Sequence, residues 1–499
     1  MKDLRSLLPT TFFNPVSYLG GAVSVASFIL ILFLFTVEML GVPMQPYVGI
    51  ITFVVLPGIM LLGIAVSLYG MRREKRRRLR TGSETAVFPT LDLNDPVQRT
   101  RFTFASILVF ILLLGTAFGS YQVYHFTESV TFCGQICHQV MKPEFVAYSN
   151  SPHSRVTCAD CHVGSGADWY VKSKLSGAYQ IYSVIFKKYS QPIPTPVHSL
   201  RPAQGTCEQC HYPQHFHNDI QVNKTYYLKD EANTPWSVSL LMKISGGRSD
   251  SGPTSGIHWH VNRDHAVTYT AVDSQRQNIP VVRVRYPDAS EDEFVTTDAY
   301  DAAALAAGET RTMDCIDCHN RPTHIYRSPE ETINAEMSHG AIAPTLPSVR
   351  LTVSEALTQE YADDEAAMKG IASYITDFYR LRHPALFASR RTEIDSAVSV
   401  AKRIYERNFF PYMRVSWKRY PNNIGHFNNL GCFRCHDNKH VSKKTGKVLS
   451  NDCNTCHTIL SQGTSLASNI SPKGLEFLHP VDIGDAWKTM NCIDCHTGQ

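Results

Sequence analysis

Residues 453–457 read CNTCH. This pattern, in which two residues separate a pair of cysteines and histidine directly follows the second cysteine, recurs along the chain. Six copies have this spacing, and one more, CGQICH at 133–138, has an extra residue. In such motifs two thiols form thioethers with a haem and the adjacent imidazole binds the iron. In chain order, as motifs 1 to 7, the cysteines are Cys133/Cys137, Cys158/Cys161, Cys207/Cys210, Cys315/Cys318, Cys432/Cys435, Cys453/Cys456 and Cys492/Cys495. The motif histidines are His138, His162, His211, His319, His436, His457 and His496.

These seven motifs use all 14 cysteines of the 499-residue chain. Zinc ribbons and disulfide frameworks also contain paired cysteines, but neither explains a histidine after every pair. The sequence therefore predicts seven covalently bound c-type haems. The expected fold is mostly α and irregular, a haem-packed multihaem cytochrome in which the haem faces replace much of an ordinary core.

Three apolar stretches near the N-terminus, at about Val16–Met39, Tyr47–Gly70 and Phe102–Tyr124, are long enough to predict transmembrane helices in the lipid bilayer. The basic run MRREKRRRLR, at 71–80, follows the second. Such a run is typical of a cytoplasmic loop, so the N-terminus is expected in the cytoplasm and every motif in the periplasm, at the inner membrane of a bacterium. The net charge of +4 is modest and indicates no nucleic-acid partner.

The pattern predicts a three-helix anchor at 1–125, with a cytoplasmic loop at 71–101, and a four-motif domain at 126–330. A strand-rich insert is expected at about 220–310, because HAVTYTAV and IPVVRVRY favour β-branched residues and alternate. A helical linker domain is predicted at 331–415, interrupted at His383–Pro384, and a domain carrying the last three motifs at 416–499.

The second axial ligands of the irons are expected to be histidines. Since seven of the 21 histidines belong to the motifs, 14 remain. His258 competes with His260; His198, His215, His217, His265 and His339 are substitutes, and His125 and His383 are typical of ordinary polar positions. Met141 is either a thioether ligand of the first haem or a core methionine, and the pairing stays open. The preferred candidates, in short polar or Gly/Pro-containing contexts, are His153, His260, His324, His426, His440 and His479.

Three segments, FCGQICHQVMKPEFVAYSNSPHSRVTCADCHVG at 132–164, CEQCHYP at 207–213 and MDCIDCHNRPTH at 313–324, resemble the haem segments of the NapC/NirT family of membrane-anchored quinol dehydrogenases. The resemblance covers about 120–325, interrupted by the strand-rich insert. In architecture the chain is similar to the seven-haem inner-membrane cytochromes of metal-reducing bacteria, which also combine three spans with extra C-terminal haems.

The resemblance implies a quinol:cytochrome c oxidoreductase that oxidises menaquinol from the membrane pool and passes electrons to periplasmic c-type cytochromes, in anaerobic or extracellular respiration. In that family a lysine and a carboxylate near the first haem bind the quinol head. Lys174 matches the lysine position, with Lys172 as the alternative. Gln180 stands where the acid is expected, and Asp168 and Glu144 are the nearest carboxylates in sequence.

Two other functions fit the motifs. A terminal haem reductase of a small oxyanion or nitrogen compound needs one iron with an open position, which high-spin absorbance reveals. A haem-wire subunit of a larger membrane complex has no quinone site of its own and is not reduced by a quinol analogue.

Overall fold

The fold, given by a computed structural model, is mostly helical with two small sheets. The structure describes residues 9–39, 55–82, 92–136, 138–163, 167–196, 203–212, 218–246, 255–464 and 469–496. It forms two compact units, one made of Met1–Ser129 with His162–Ile185 and the other of Val130–Cys161 with Phe186–Gln499.

The longer helices are α1 (Pro15–Met39), α2 (Leu56–Thr81), α3 (Pro96–Thr127), α4 (His138–Ser149), α5 (Ala167–Ile185), α6 (Pro329–Ser338), α7 (Val349–Thr358), α8 (Asp364–Arg382) and α9 (Arg391–Asn408). The strands are β1 (Ile220–Tyr227), β2 (Pro235–Met242), β3 (Ala266–Ala271), β4 (Val281–Arg285), β5 (Glu291–Thr296), β6 (Glu309–Thr312), β7 (His440–Ser442), β8 (His457–Gly463) and β9 (Asn469–Ile470).

In the first unit, α1 and α2 pack closely through small residues. Ser17 Oγ donates a hydrogen bond to the Ser67 carbonyl oxygen at 3.0 Å, and Ser67 Oγ donates to the Ser17 carbonyl oxygen at 2.9 Å. A Cβ atom added to Gly20 would lie 2.5 Å from the Gly63 carbonyl oxygen. Close backbone approach between small residues is the usual way in which helices associate in a lipid environment.

Among the residues with described placement, one stretch is long and apolar enough to cross a membrane, Pro15–Leu34 in α1. The second predicted span, Tyr47–Gly70, lies partly outside the described residues, and α2 covers its remainder. The third, Phe102–Tyr124, lies within α3. The three-span anchor therefore stays a prediction, with which one apolar helix is compatible.

Helices α6 to α9 form the largest apolar core of the second unit. As predicted, the helical segment is interrupted at His383, since α8 ends at Arg382 and a short helix, Pro384–Ser389, begins at the proline. Proline lacks the N–H that would continue α8. The core side chains that are completely buried include Ile333, Ile342, Leu346, Val349, Val353, Leu357, Ile371, Ile375, Tyr379 and Ile394.

The two sheets have strand orders β1-β2-β8-β9 and β6-β3-β4-β5-β7. Strands β3 and β4 occur where the alternating sequence predicts them. Both sheets recruit strands from the C-terminal segment, because β2 pairs with β8 from Ser237↔Gly463 to Met242↔His457 and β5 pairs with β7. The second unit therefore contains residues of the predicted four-motif domain, helical linker and three-motif domain, and the boundaries between these domains stay a prediction.

Candidate haem-binding sites

Most of the motifs whose backbone is described lie on a single helical turn. Cys315–Cys318, Cys453–Cys456 and Cys492–Cys495 are one-turn α-helices, and Gly431–Arg434 of motif 5 is a 3-10 turn. Residues three apart on a helix lie on the same face, so each pair of thiols points to the same side. No disulfide joins the cysteines in the described ranges.

Two motif cysteines are more exposed than the others. Cys210 of motif 3 and Cys495 of motif 7 are exposed, whereas the other cysteines in the described ranges are half-buried. The physical reason at motif 3 is that its short helix, Ala203–Cys207, ends at the first cysteine. Cys210 lies in the turn beyond that end, where its N–H donates to the Cys207 carbonyl oxygen at 3.1 Å. The assignment of Cys210 to haem attachment rests on the motif spacing.

A recurring cap fixes three of these turns, and it was not predicted. The motifs TCADCH, DCIDCH and NCIDCH each have a capping residue before the first cysteine and an aspartate three residues later. Asp314 with Asp317, and Asn491 with Asp494, form reciprocal capping boxes. In motif 2, the Thr157 backbone N–H donates to the Asp160 carboxylate at 2.9 Å. The signal was available in the residues, because a cap followed by an acid at the third helical position marks a helix start.

Motif 1 differs in backbone shape. Its extra residue is accommodated in a π-helical turn, Thr131–Ile136, which is the wider turn expected of a one-residue insertion. Cys137 and the side chain of His138 lie outside the described part of the chain. Met141 follows on α4 and is half-buried, so its part as ligand or core residue stays a prediction.

Five motif histidines lie next to a second imidazole. Two bonds of about 2.0 Å from ring nitrogens to one metal, plus about 1 Å from each nitrogen to its ring centre, place two axial imidazoles about 6 Å apart. The ring centroids are separated by 5.9 Å for His153–His211, 6.5 Å for His258–His319, 5.9 Å for His260–His436, 6.2 Å for His426–His457 and 6.2 Å for His479–His496. This spacing fits one iron between the rings of each pair.

Hydrogen bonds orient several of these rings. In three of them Nδ1 contacts a backbone carbonyl oxygen. The distance is 2.8 Å from His260 to Ile257, 3.1 Å from His436 to Ser450 and 2.7 Å from His479 to Val481. An Nδ1–H bound to a carbonyl fixes the tautomer in which Nε2 carries the lone pair that binds metal.

Burial favours the neutral form of two of the predicted second ligands. Desolvation lowers the pKa of His260 to about 4 and the pKa of His426 to about 4. A neutral imidazole retains its lone pair near neutral pH, and metal ligation requires that form.

A cavity of 2250 Å³ lies among the last four motifs. It exceeds the volume of about 300–1,000 Å³ that is usual for a single small-molecule pocket. Its lining includes Cys318, His319, Cys432, His436, Cys453, Cys456, His457, Cys492, Cys495 and His496, together with His258, His426 and His479. Thiol pairs on one face, paired imidazoles and a cavity of this size fit c-type haem.

Two predicted second ligands lie in other surroundings. His440 is buried, and both of its ring nitrogens are engaged, Nδ1 with Asp437 at 2.9 Å and Nε2 with the Ile279 carbonyl oxygen at 2.7 Å. Burial alone would lower the pKa of His440, but Asp437 and that carbonyl raise it. Both ring nitrogens of His440 thus contact protein groups, and its part as a second ligand stays a prediction. His324 Nδ1 lies 3.1 Å from the Glu144 carbonyl oxygen, and the structure does not place it beside a described motif histidine.

His258 and His260 each lie beside a different motif histidine, so the structure brings both to motif imidazoles, and the choice of ligands stays a prediction. His265, a possible substitute, directs Nε2 to the Trp259 carbonyl oxygen, which removes the nitrogen it would need for ligation. Sequence spacing could not separate these cases, since the ring orientations depend on contacts with distant backbone.

Glu330, at the start of α6, lies beside motif 7. Its carboxylate oxygen is 3.6 Å from Nδ1 of His496. Burial alone would raise the pKa of Glu330, but His496, Arg350 and Lys229 together lower it to about 2. A carboxylate behind a metal-binding imidazole orients the ring and raises its basicity. The sequence patterns did not single out this residue.

The predicted quinol residues lie on α5 in the first unit. Lys172 and Gln180 are exposed, and Gln180 Nε2 donates to Ser176 Oγ at 3.3 Å. The side chains of Asp168 and Lys174 are outside the described set. On the same helix Leu175, Tyr179 and Tyr182, at intervals of four and three residues, are also exposed.

The sequence model of the NapC/NirT cytochrome c family, N-terminal region, matches residues 96–194. The chain is a membrane-anchored, multihaem c-type cytochrome of electron transport and belongs to the NapC/NirT family. It is 42% identical to the cytochrome c-type protein ImcH of Geobacter sulfurreducens over 486 residues, which cover 97% of this chain and 95% of ImcH. No solved structure shows a match.

Proposed function

We propose that this chain is an inner-membrane quinol dehydrogenase that oxidises menaquinol and passes the electrons through seven c-type haems to periplasmic cytochromes. The observation that carries the proposal is the set of five imidazole pairs at axial-ligand distance. Two imidazoles close both axial positions of an iron, and a closed site transfers electrons without binding a substrate. A terminal reductase, by contrast, needs an open position.

The order of the motifs supports a continuous path. The short helices Ala203–Cys207 and Cys315–Cys318 contact each other, which brings motifs 3 and 4 together. Cysteines and histidines of motifs 5, 6 and 7 border one cavity. Bound haem supplies reversible one-electron chemistry at each of these positions. Cys495 of motif 7 is exposed, which leaves the end of the path accessible to a soluble cytochrome.

Oxidation of one quinol to a quinone removes two electrons and two protons. The electrons go to the haems of this chain and then to the acceptor cytochrome, and the protons need a base at the membrane surface. Helix α5 suits this position because its exposed Leu175 (68%) and Tyr179 (65%) provide an apolar face beside the polar Lys172. In the proposal Lys172 or Lys174 holds a quinol hydroxyl, and Gln180 and Asp168 complete the site.

The topology follows from the basic end of α2. Arg78 and Arg80 lie in its last turn, a basic pattern typical of the cytoplasmic side of a membrane. In the proposal, one further crossing, through the third predicted span at Phe102–Tyr124, leads from there to the periplasm, where the motifs lie.

The test is stopped-flow reduction of the detergent-purified protein by a menaquinol analogue, with low-spin and high-spin absorbance recorded together. We expect rapid reduction of entirely low-spin haem in the unmodified protein. Lys174→Ala and Lys172→Ala are each measured, and the one that holds the quinol should slow reduction at least tenfold with unchanged haem content. Lys447→Ala is the matched control, because Lys447 is an exposed lysine of the second unit.

No reduction of the unmodified protein would contradict the proposal and indicate a haem-wire subunit supplied by a partner. A high-spin band in the unmodified protein would also contradict it and indicate a reductase with an open iron.

A further inference from the structure

The segment Ile257–Val261, a 3-10 turn with the sequence IHWHV, lies between two motifs. Its histidines, His258 and His260, are two residues apart. At three residues per turn, side chains two positions apart diverge by about 120°. They therefore cannot serve one site together, and each points to a different neighbour.

Each histidine faces its own motif. The rings of His258 and His319 are 6.5 Å apart and nearly parallel, with 3° between their planes. The rings of His260 and His436 are 5.9 Å apart and nearly perpendicular, at 84°. Nδ1 of His258 contacts the Ile244 carbonyl oxygen, and Nδ1 of His260 contacts the Ile257 carbonyl oxygen at 2.8 Å. Both contacts set the tautomer in which Nε2 is the metal-binding nitrogen.

The backbone holds the turn rigidly between these neighbours. Gly256 has a φ of +114°, and a Cβ there would lie 2.4 Å from the Ser245 carbonyl oxygen, so only glycine fits. The Ile257 N–H donates to the Lys243 carbonyl oxygen at 2.8 Å. Between the two histidines, Trp259 stacks on His265 at 3.9 Å and packs against the core of the second sheet.

The two motifs that the turn faces are joined directly. Arg434, inside motif 5, donates through Nη2 to the carbonyl oxygen of Asp317, inside motif 4, at 2.8 Å. Asn423 Nδ2 donates to the same oxygen at 2.9 Å. Motifs 4 and 5 are therefore neighbours in a fixed arrangement.

We propose that the IHWHV turn supplies the second axial ligand at two adjacent haems, His258 opposite His319 at motif 4 and His260 opposite His436 at motif 5. The inference rests on the proposed binding of haem at these motifs and deepens it. Its consequence is that one rigid turn joins the four-motif segment that resembles the NapC/NirT family to the three C-terminal motifs. The strand-rich segment is thus part of the electron path and more than a spacer.

The test uses the purified full-length protein and electron paramagnetic resonance. Parallel imidazole planes give a rhombic low-spin signal, whereas perpendicular planes give a highly anisotropic one. We expect His258→Gly to remove one rhombic component and His260→Gly to remove one anisotropic component, each with the appearance of one high-spin haem. Added imidazole should restore the low-spin state. His383→Gln, at the end of α8 and predicted as an ordinary polar residue, is the control and should change neither signal.

The variants His258→Met and His260→Met provide a second test for the case in which a glycine variant does not incorporate haem. A methionine placed at a true ligand position binds the iron and produces a sulfur-to-iron charge-transfer band, which a merely structural role would not produce. Retention of all low-spin components in both glycine variants, or absence of the band in both methionine variants, overturns the inference. Quinol reduction of the unmodified protein is scored separately, so failure of the proposed function is distinguishable.

Discussion

Two adjoining regions of the second unit are built on opposite principles. Helices α6 to α9 surround a core in which side chains such as Ile371 and Leu357 are completely buried. The segment from 410 to 496 has short turns and strands and borders a 2250 Å³ cavity edged by thiols and imidazoles. The first region is stabilised by close packing of its own side chains. The second depends on attached haem to fill its interior, so loss of one group affects the two regions very differently.

The largest expected effect follows from removing one attachment site, with Cys453→Ala and Cys456→Ala combined. We expect a protein with one haem fewer, in which the C-terminal segment is rapidly cleaved while α6 to α9 remain protected, because only the former relies on haem for its core. Intact mass spectrometry and limited proteolysis measure both effects. Thr455→Ala, between the two cysteines, leaves the motif intact and is the control. Equal protection of the two regions would show that they are stabilised in the same way.

A smaller effect is expected from the helical core. Ile371→Ala removes a completely buried side chain of α8, and the free energy of unfolding should fall by about 2–5 kcal/mol. Denaturant unfolding followed by circular dichroism measures it. Leu381→Ala, on the same helix but 72% exposed, should stay within about 0.5 kcal/mol. The haem absorbance of the folded Ile371→Ala protein should be unchanged, and an altered spectrum would break the distinction between the regions.

The smallest effect is expected at the contact between the two regions. Glu330→Gln removes the carboxylate beside His496, which lowers the basicity of that ligand and stabilises ferric iron less. One haem should therefore be reduced at a higher potential, as measured by an optically monitored redox titration. Glu331→Gln, the adjacent residue, which pairs with Arg327 at 2.6 Å, is the control. Superimposable titrations of the two variants would show that Glu330 does not tune motif 7.

Local patterns predicted much of this molecule. The motif cysteines follow from spacing alone, and β3, β4 and the interruption before Pro384 follow from alternation and from the missing proline N–H. These features depend on residues close together in the chain, so the sequence carries the whole signal. The motif caps also depend only on residues close together in the chain, although they were not predicted.

Features that depend on distant contacts were not predictable. His440 and His426 both stand in short polar stretches, yet the Ile279 carbonyl oxygen occupies one ring nitrogen of His440, whereas His426 lies 6.2 Å from His457. Likewise the pairing of β2 with β8 joins strands that the sequence assigned to separate domains. A single sequence shows which histidines are available as ligands, but not which of them hydrogen-bond to a backbone group in the folded protein.

The pairing of β2 with β8 also sets the timing of assembly. β8 begins at His457, and the Lys243 N–H donates to the Cys456 carbonyl oxygen at 2.9 Å, so the sheet closes around motif 6 itself. Until those late residues have been synthesised, one edge of β2 has no strand beside it. The connectivity of the chain thus delays closure of the sheet until the last motifs have arrived.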